Sequence, residues 1–100
     1  MLNVFLCSEA WDDLERLEEF LALENDPLAY GLLDYLMQAL LILIRQPGIG
    51  RPVSQGVREL IISRHRTGYL AKYEYDEAAQ LIRITRIRHQ RESGYLHTEI

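Results

Sequence analysis

The residues best suited to chemistry lie near the C-terminus of the chain, in the run RITRIRHQR at positions 83–91. His89 in this run titrates near neutral pH and is able to shuttle protons. Cations crowded along one strand-like segment are costly unless an anion neutralises them. The run therefore predicts an anionic partner, and its four cations are Arg83, Arg86, Arg88 and Arg91.

Other cations precede this run, and the sequence leaves two interpretations of each open. Arg58 begins a strand-like stretch, where it either contacts a partner or extends its stem past the core edge into solvent. Arg64, His65 and Arg66 occupy a predicted hairpin tip, which is either a solvated turn or a basic contact that reaches towards nucleic acid.

The charge is divided between the two halves of the chain. Residues 1–44 carry nine acidic residues and a single basic residue, Arg16, which gives −8. Residues 45–100 carry ten basic and six acidic residues, which gives +4 and a total of −4. The basic half indicates either an anionic partner or a face that neutralises the acidic half of the same fold.

Length and composition predict a single domain over residues 1–100. The start of the chain has no positively charged region before its short apolar run, so no signal peptide is expected. Cys7 is the lone cysteine and cannot form an internal disulfide, which fits a reducing cytoplasm. We expect it to be a small core side chain in a strand. Neither a cofactor nor a metal ion is expected.

Two helices are predicted in the first half. A short strand at Leu2–Leu6 precedes Ser8, a helix N-cap candidate, and an amphipathic helix at Glu9–Leu23. Asp26 and Pro27 form a second start signal, for a helix that extends to about Arg45. This helix is apolar on nearly all sides but is too short and too interrupted for a membrane span. We expect it to be buried between the first helix and a sheet.

Three strand-like runs fill the second half, after a loop at residues 46–56: Val57–Ser63, Tyr69–Tyr75 and Leu81–Arg88. Short polar links between them predict hairpins. The order β-α-α-β-β-β predicts an α+β fold of two layers, with a helical hairpin packed on one face of an antiparallel sheet.

Two details of these strands affect function. Tyr69, Tyr73 and Tyr75 alternate along the middle strand, either as a base-stacking stripe or, as we expect, as a face packed on the helices. Ile87 has the opposite parity to Ile84, so either the apolar layer ends at Ile84 or a bulge near residues 85–86 restores it.

The chain from Ser8 to Tyr95 resembles the RelE/ParE family of bacterial toxin–antitoxin toxins. The resemblance is carried by PGIGRP after the second helix, GVREL at the next strand, GYLAKYEYD as the middle strand and IRITRIRHQRESGY at the close. It implies this order of elements and a cognate antitoxin as partner. RelE-like members cut messenger RNA on the ribosome, whereas ParE-like members inhibit DNA gyrase.

The residues at the expected catalytic positions favour the ParE-like branch. RNA cleavage needs a base, an acid and a stabiliser of phosphorane charge. The lysines and the arginine that family nucleases carry on the two central strands fall here at Ile61, Ser63 and Leu70, which can do none of this. His89, six residues before Tyr95, does match a basic position of the nucleases.

The sequence therefore predicts a cytoplasmic, ParE-like gyrase inhibitor in a toxin–antitoxin hetero-oligomer, which stops growth by binding and has no active site. One alternative is a ribosome-dependent endoribonuclease that uses His89, Arg91 and Tyr95 on messenger RNA. A second alternative is a non-toxic, degenerate member that only binds its antitoxin. The residues expected to contact target or antitoxin are Arg58, Arg64, Arg66, Arg83, Arg86 and Arg88.

Overall fold

The structure, a computed structural model, describes residues 1–92. Five strands form one sheet: β1 (Asn3–Leu6), β2 (Arg51–Ser54), β3 (Val57–Arg64), β4 (Thr67–Asp76) and β5 (Leu81–His89). The helices are α1 (Ser8–Leu23), α2 (Leu32–Leu40) and α3 (Ile42–Arg45), with a 3₁₀ turn at Pro27–Ala29. Helices on one face of the sheet confirm the predicted two-layer α+β class.

The sheet is mixed, with strand order β1-β5-β4-β3-β2. The expectation of a purely antiparallel sheet is wrong at one edge, because β1 pairs in parallel with β5. β2 is an additional edge strand inside the stretch predicted to be loop, and it pairs with β3. The sequence did not indicate this strand, because it contains Pro52 and none of its four residues is buried. Within a sheet, proline is confined mainly to edge strands, where its missing N–H is not needed for pairing.

α1 has the predicted amphipathic pattern, with Ala10, Leu14 and Leu17 buried against the sheet. Its start differs by one residue from the prediction. Ser8 is the first helical residue, and Cys7 takes the N-cap position without a side-chain cap. Cys7 follows β1 and is only partly buried, so its expected place as a core residue within a strand is wrong.

The predicted second helix is divided. Asp26 does act as an N-cap, accepting a hydrogen bond from the backbone of Leu28 at 2.9 Å, but the turn it caps ends at Ala29. Gly31 then adopts φ +75°, a left-handed conformation that glycine enters without strain, and α2 begins after it. No helix in residues 1–92 is long and apolar enough to cross a membrane.

α2 and α3 are not enclosed between α1 and the sheet, as the sequence predicted. One row of side chains is buried at helical spacing: Leu32, Leu36, Leu40 and Leu43. The opposite face is exposed, although most of its residues are apolar. Asp34, Gln38 and Arg45 also lie on the exposed face, so the helices have a buried apolar side and a mixed outer side.

A bulge in β5 keeps its apolar layer intact. Tyr73 lies opposite Ile84 and Lys72 lies opposite Arg86, so Thr85 is the extra residue. The bulge places Ile87 on the same face as Ile84, and both are fully buried. Tyr69 and Tyr73 lie on this face and are core residues, which confirms that they pack on the helices. Tyr75 is 37% exposed at the strand end.

Candidate functional site

A groove of about 930 Å³ lies beside α1. Its walls are the second half of α1, the 3₁₀ turn, the β3–β4 turn and the end of β5. The apolar part is formed by Leu17, Phe20, Leu21 and Leu28. The rim is polar, and its basic residues outnumber the acidic Asp26 and Glu92: Arg16, His65, Arg66, His89 and Arg91. An apolar floor with a basic rim suits an acidic, partly apolar ligand.

His89 ends β5 at this groove, with both of its ring nitrogens engaged. Nδ1 accepts a hydrogen bond from the Arg91 backbone N–H at 3.1 Å, so the proton of the neutral ring is on Nε2. Nε2 is bonded to the Thr67 hydroxyl. The ring also meets Tyr69 edge to face, with centroids 5.2 Å apart. Burial lowers the pKa of His89, and the neighbouring Arg91 guanidinium lowers it further.

Glu92 holds the chain where it leaves the sheet. One carboxylate oxygen accepts from the backbone N–H of His89 at 2.8 Å, and the other accepts from the Arg16 guanidinium at 2.6 Å. Arg88 donates to the Glu92 carbonyl at 2.8 Å. These contacts fix the end of β5 against α1, and so they set the shape of the groove.

The hairpin tip supplies the exposed cations of the rim. β3 and β4 are joined by His65 and Arg66, both exposed, and His65 has φ +55°. This is a two-residue connection, typical of a tight hairpin. Among the predicted contact residues, Arg66 is thus placed at the groove beside His89 and Arg91. Tyr95 lies outside the described residues.

Arg64 and Arg86, by contrast, are held within the fold. Arg64 is 6% exposed and donates to the backbone carbonyls of Leu28 and Tyr30, which ties the 3₁₀ turn to β3. Arg86 donates to Asp13 of α1 through Nε at 2.8 Å and through Nη2 at 3.1 Å. The anion that the sequence required for this part of the run is therefore supplied by the same chain.

Arg58 and Arg83 lie away from the groove. Arg58 donates to the carbonyls of Gly50 and Gly48, at 2.7 and 3.2 Å, and so holds the loop after α3. Arg83 pairs with Asp76 at 3.3 Å. The predicted contact residues therefore do not form one surface.

Ile61 and Leu70, two of the positions where nucleases of the family carry cations, lie on the other face of the sheet from His89. Ile61 pairs with Leu70, and Leu70 pairs with Arg88, so the three form one cross-strand row. His89 pairs with Tyr69 in the adjacent row, whose side chains point towards the helices. The matched histidine and the unmatched positions therefore do not converge on one site.

Sequence reasoning missed the contributions of Arg16, Asp13 and Glu92 to this region. The available signal was Arg16, the single cation within the strongly acidic first 44 residues. Its partners could not be read from the sequence because Glu92 is 76 positions away. Such pairings depend on how α1 crosses β5.

The helices on a five-stranded sheet, with a basic-rimmed groove between the layers, define a small α+β binding domain. A model of the family described as ParE toxin of type II toxin–antitoxin system, parDE, matches residues 4–94. The chain belongs to this family and is a type II toxin–antitoxin toxin, which implies a cognate antitoxin as partner. No curated protein matches the sequence.

Proposed function

We propose that this toxin stops growth by binding DNA gyrase and stabilising cleaved DNA, and that its antitoxin prevents this by covering the basic rim of the groove. The family match supports the proposal. The engagement of both His89 ring nitrogens by Thr67 and Arg91 favours this proposal over RNA cleavage, because in this arrangement neither nitrogen is free to take a proton from a ribose hydroxyl.

The leading test is a supercoiling assay with purified gyrase. Toxin at micromolar excess should block supercoiling of relaxed plasmid, or trap linear DNA when gyrase is denatured. Equimolar cognate antitoxin should remove the effect. Full gyrase activity in the presence of folded toxin would refute the proposal.

Arg66 is the groove cation best suited to locate the contact, since it is exposed at the hairpin tip. We expect Arg66→Glu to weaken gyrase inhibition by about tenfold or more, because it replaces attraction with repulsion. Arg83→Glu is the matched control, since it reverses the same charge at a residue paired with Asp76 away from the groove. Equal losses in both variants would indicate a general effect of charge, not a contact at the groove.

The endoribonuclease alternative rests on the positional match of His89. A translation extract that contains ribosomes tests it directly. We expect no toxin-dependent cleavage of messenger RNA, and His89→Ala toxin should behave as wild type in this assay. Cleavage that disappears in His89→Ala would establish the nuclease in place of the gyrase inhibitor.

The degenerate alternative is tested in cells. Induced expression without antitoxin should arrest growth, and expression together with antitoxin should restore it. Normal growth, with soluble toxin present and still bound by its antitoxin, would favour a non-toxic binding protein.

A further inference from the structure

The outer face of α2 and α3 combines exposed apolar side chains with Asp34, Gln38 and Arg45, and no other element covers it within residues 1–92. Leu41, Ile42 and Ile44 on this face are between 37% and 47% exposed. Large apolar side chains exposed on one helix face, with polar residues beside them, are typical of an interaction surface. No residue of α2 or α3 lines the groove, so this face is not part of the proposed gyrase site.

The two helices follow one helical path, so residues along them can be assigned to rows. Leu41, which joins them, has helical φ and ψ of −64° and −18°. The backbone N–H of Ile44 donates to Leu41 at 3.1 Å, which continues the spiral. Since the buried row faces the sheet, the centre of the outer face runs through Asp34, Gln38, Leu41 and Arg45.

The charges of this face are arranged for self-association. Asp34 lies near its start and Arg45 near its end, about three helical turns apart and in the same row. Both are exposed, and neither has an ion pair with another residue of the described part of the chain. When two such helices pack antiparallel about a two-fold axis, each Asp34 meets the Arg45 of the other copy.

We propose that the outer face of α2–α3 is a homodimer interface, in which two copies pack antiparallel with Leu41 near the axis and two Asp34–Arg45 ion pairs at the ends. A two-fold interface brings a surface against itself, so a patch of single charge sign repels its own copy. The shallow cleft beside Trp11 has an acidic rim of Asp12, Glu15 and Glu18, and the groove has more cations than acids, Asp26 and Glu92 being its acids. The α2–α3 face is self-complementary, whereas these two are not.

Sedimentation equilibrium of purified toxin, from low to high micromolar concentration, tests the association. Wild type should form a concentration-dependent dimer. Leu41→Glu should weaken it by about tenfold or more, because it places two like charges near the axis. Ile61→Glu is the matched control, since Ile61 is 58% exposed on the opposite side of the sheet, and it should leave the dimer intact.

A mixing experiment tests the ion pairs. Asp34→Arg and Arg45→Asp should each weaken the homodimer by about tenfold, because each sets like charges against one another at both ends. An equimolar mixture of the two variants should restore association, since every opposed pair is again of opposite sign. Thermal unfolding of each variant establishes that it is folded.

The proposal is overturned by a wild type that stays monomeric at high concentration, or by a mixture that associates no better than its components. If wild type is monomeric and Leu41→Glu loses antitoxin binding, the face takes the antitoxin instead of a second copy. Wild-type toxin that dimerises but does not inhibit gyrase would contradict the proposed function and leave the dimer proposal intact. The two proposals can therefore be refuted independently.

Discussion

Asp13 shows how one buried carboxylate can organise two layers of a fold. It is 3% exposed and accepts from the Arg86 guanidinium and from the backbone N–H of Ile87, both at 2.8 Å. β1 ends opposite Ile84, so the backbone beyond this point has no neighbouring strand on that side. Asp13 takes the place of that strand and binds α1 to the free edge of β5.

We expect Asp13→Ala to lower the free energy of unfolding by about 3 kcal/mol, because it removes the acceptor of the buried Ile87 N–H and the carboxylate partner of the partly buried Arg86. Urea denaturation measures the change. Asp12→Ala is the matched control, because Asp12 is exposed on the same helix, and it should change stability by less than about 0.5 kcal/mol. Similar losses in both would show that the ion pair at Asp13 contributes little.

His89 makes stability depend on pH in a defined direction. Its pKa lies below the ordinary value of 6.5, mainly because of burial and secondly because of Arg91. The unfolded chain therefore binds a proton at a higher pH than the folded chain does. His89 therefore has little effect on the free energy of unfolding above pH 6.5. As the pH falls from 6.5 towards the lower pKa of the folded state, protonation of His89 in the unfolded chain reduces that free energy.

We expect NMR titration of the His89 ring to give a midpoint below 6.5, and Arg91→Ala to raise it without restoring the ordinary value, since burial remains. Between pH 7 and pH 5, wild type should lose more stability than His89→Gln, in which the titrating ring is absent. A titration midpoint above 6.5 in wild type would contradict this account.

At the scale of elements, the bulge in β5 reconciles two conflicting patterns. The run from Ile82 to His89 has apolar residues whose parity changes once, and Thr85 absorbs that change. The Thr85 hydroxyl donates to the Lys72 carbonyl at 3.2 Å across the bulge. The extra residue thus costs no core contact and brings Arg86 to Asp13.

We expect a chain that lacks Thr85 to fold with its core intact, because Ile84 and Ile87 then share a face in a regular strand. A chain that lacks Arg83 should be far less stable, because it forces Ile82 or Ile84 out of the core at a cost of about 2 kcal/mol or more. Thermal unfolding followed by circular dichroism compares them. Equal destabilisation would show that the bulge, not the parity of the isoleucines, holds β5 in place.

Local patterns in the sequence were sufficient for most elements. Alternation predicted the three long strands and the alternatives at the bulge, and helical spacing predicted the buried side of α1. The sequence did not predict β1 beside β5, since alternation does not specify which strand lies next to another. It also failed at Gly31, where a helix that looked continuous is interrupted by a left-handed residue.

The candidate site was less predictable than the fold. His89, Arg91 and Arg66 were recognised by residue type, and they do line one groove. Arg64 and Arg86 have the same chemistry, but backbone carbonyls and Asp13 hold them inside the fold. Whether an arginine faces a partner or its own chain depends on long-range packing, which a single sequence does not encode locally.

For the whole molecule, ion pairs within the fold neutralise a small part of the segregated charge. Two ion pairs join the halves, Asp13–Arg86 and Arg16–Glu92, with nearest atoms 2.8 and 2.6 Å apart, and the first of them pairs an acid of the first half with a cation of the second. The molecule keeps a net charge of −4, and its exposed arginines are divided between the groove, at Arg66 and Arg91, and sites away from it, at Arg45 and Arg51. Binding to duplex DNA requires many phosphate contacts and is opposed by a net negative charge.

We therefore expect the toxin not to bind free duplex DNA measurably at physiological salt, while it still inhibits gyrase acting on that DNA. Fluorescence anisotropy with a labelled duplex, alone and in complex with gyrase, separates the two cases. The toxin should bind the labelled duplex only when gyrase is present. Arg66→Glu should weaken this binding, because we expect the cations of the hairpin tip to contact the gyrase–DNA complex and not DNA alone. Micromolar binding to DNA alone would mean that the basic rim is a nucleic-acid site in its own right, and that gyrase is not the partner this groove selects.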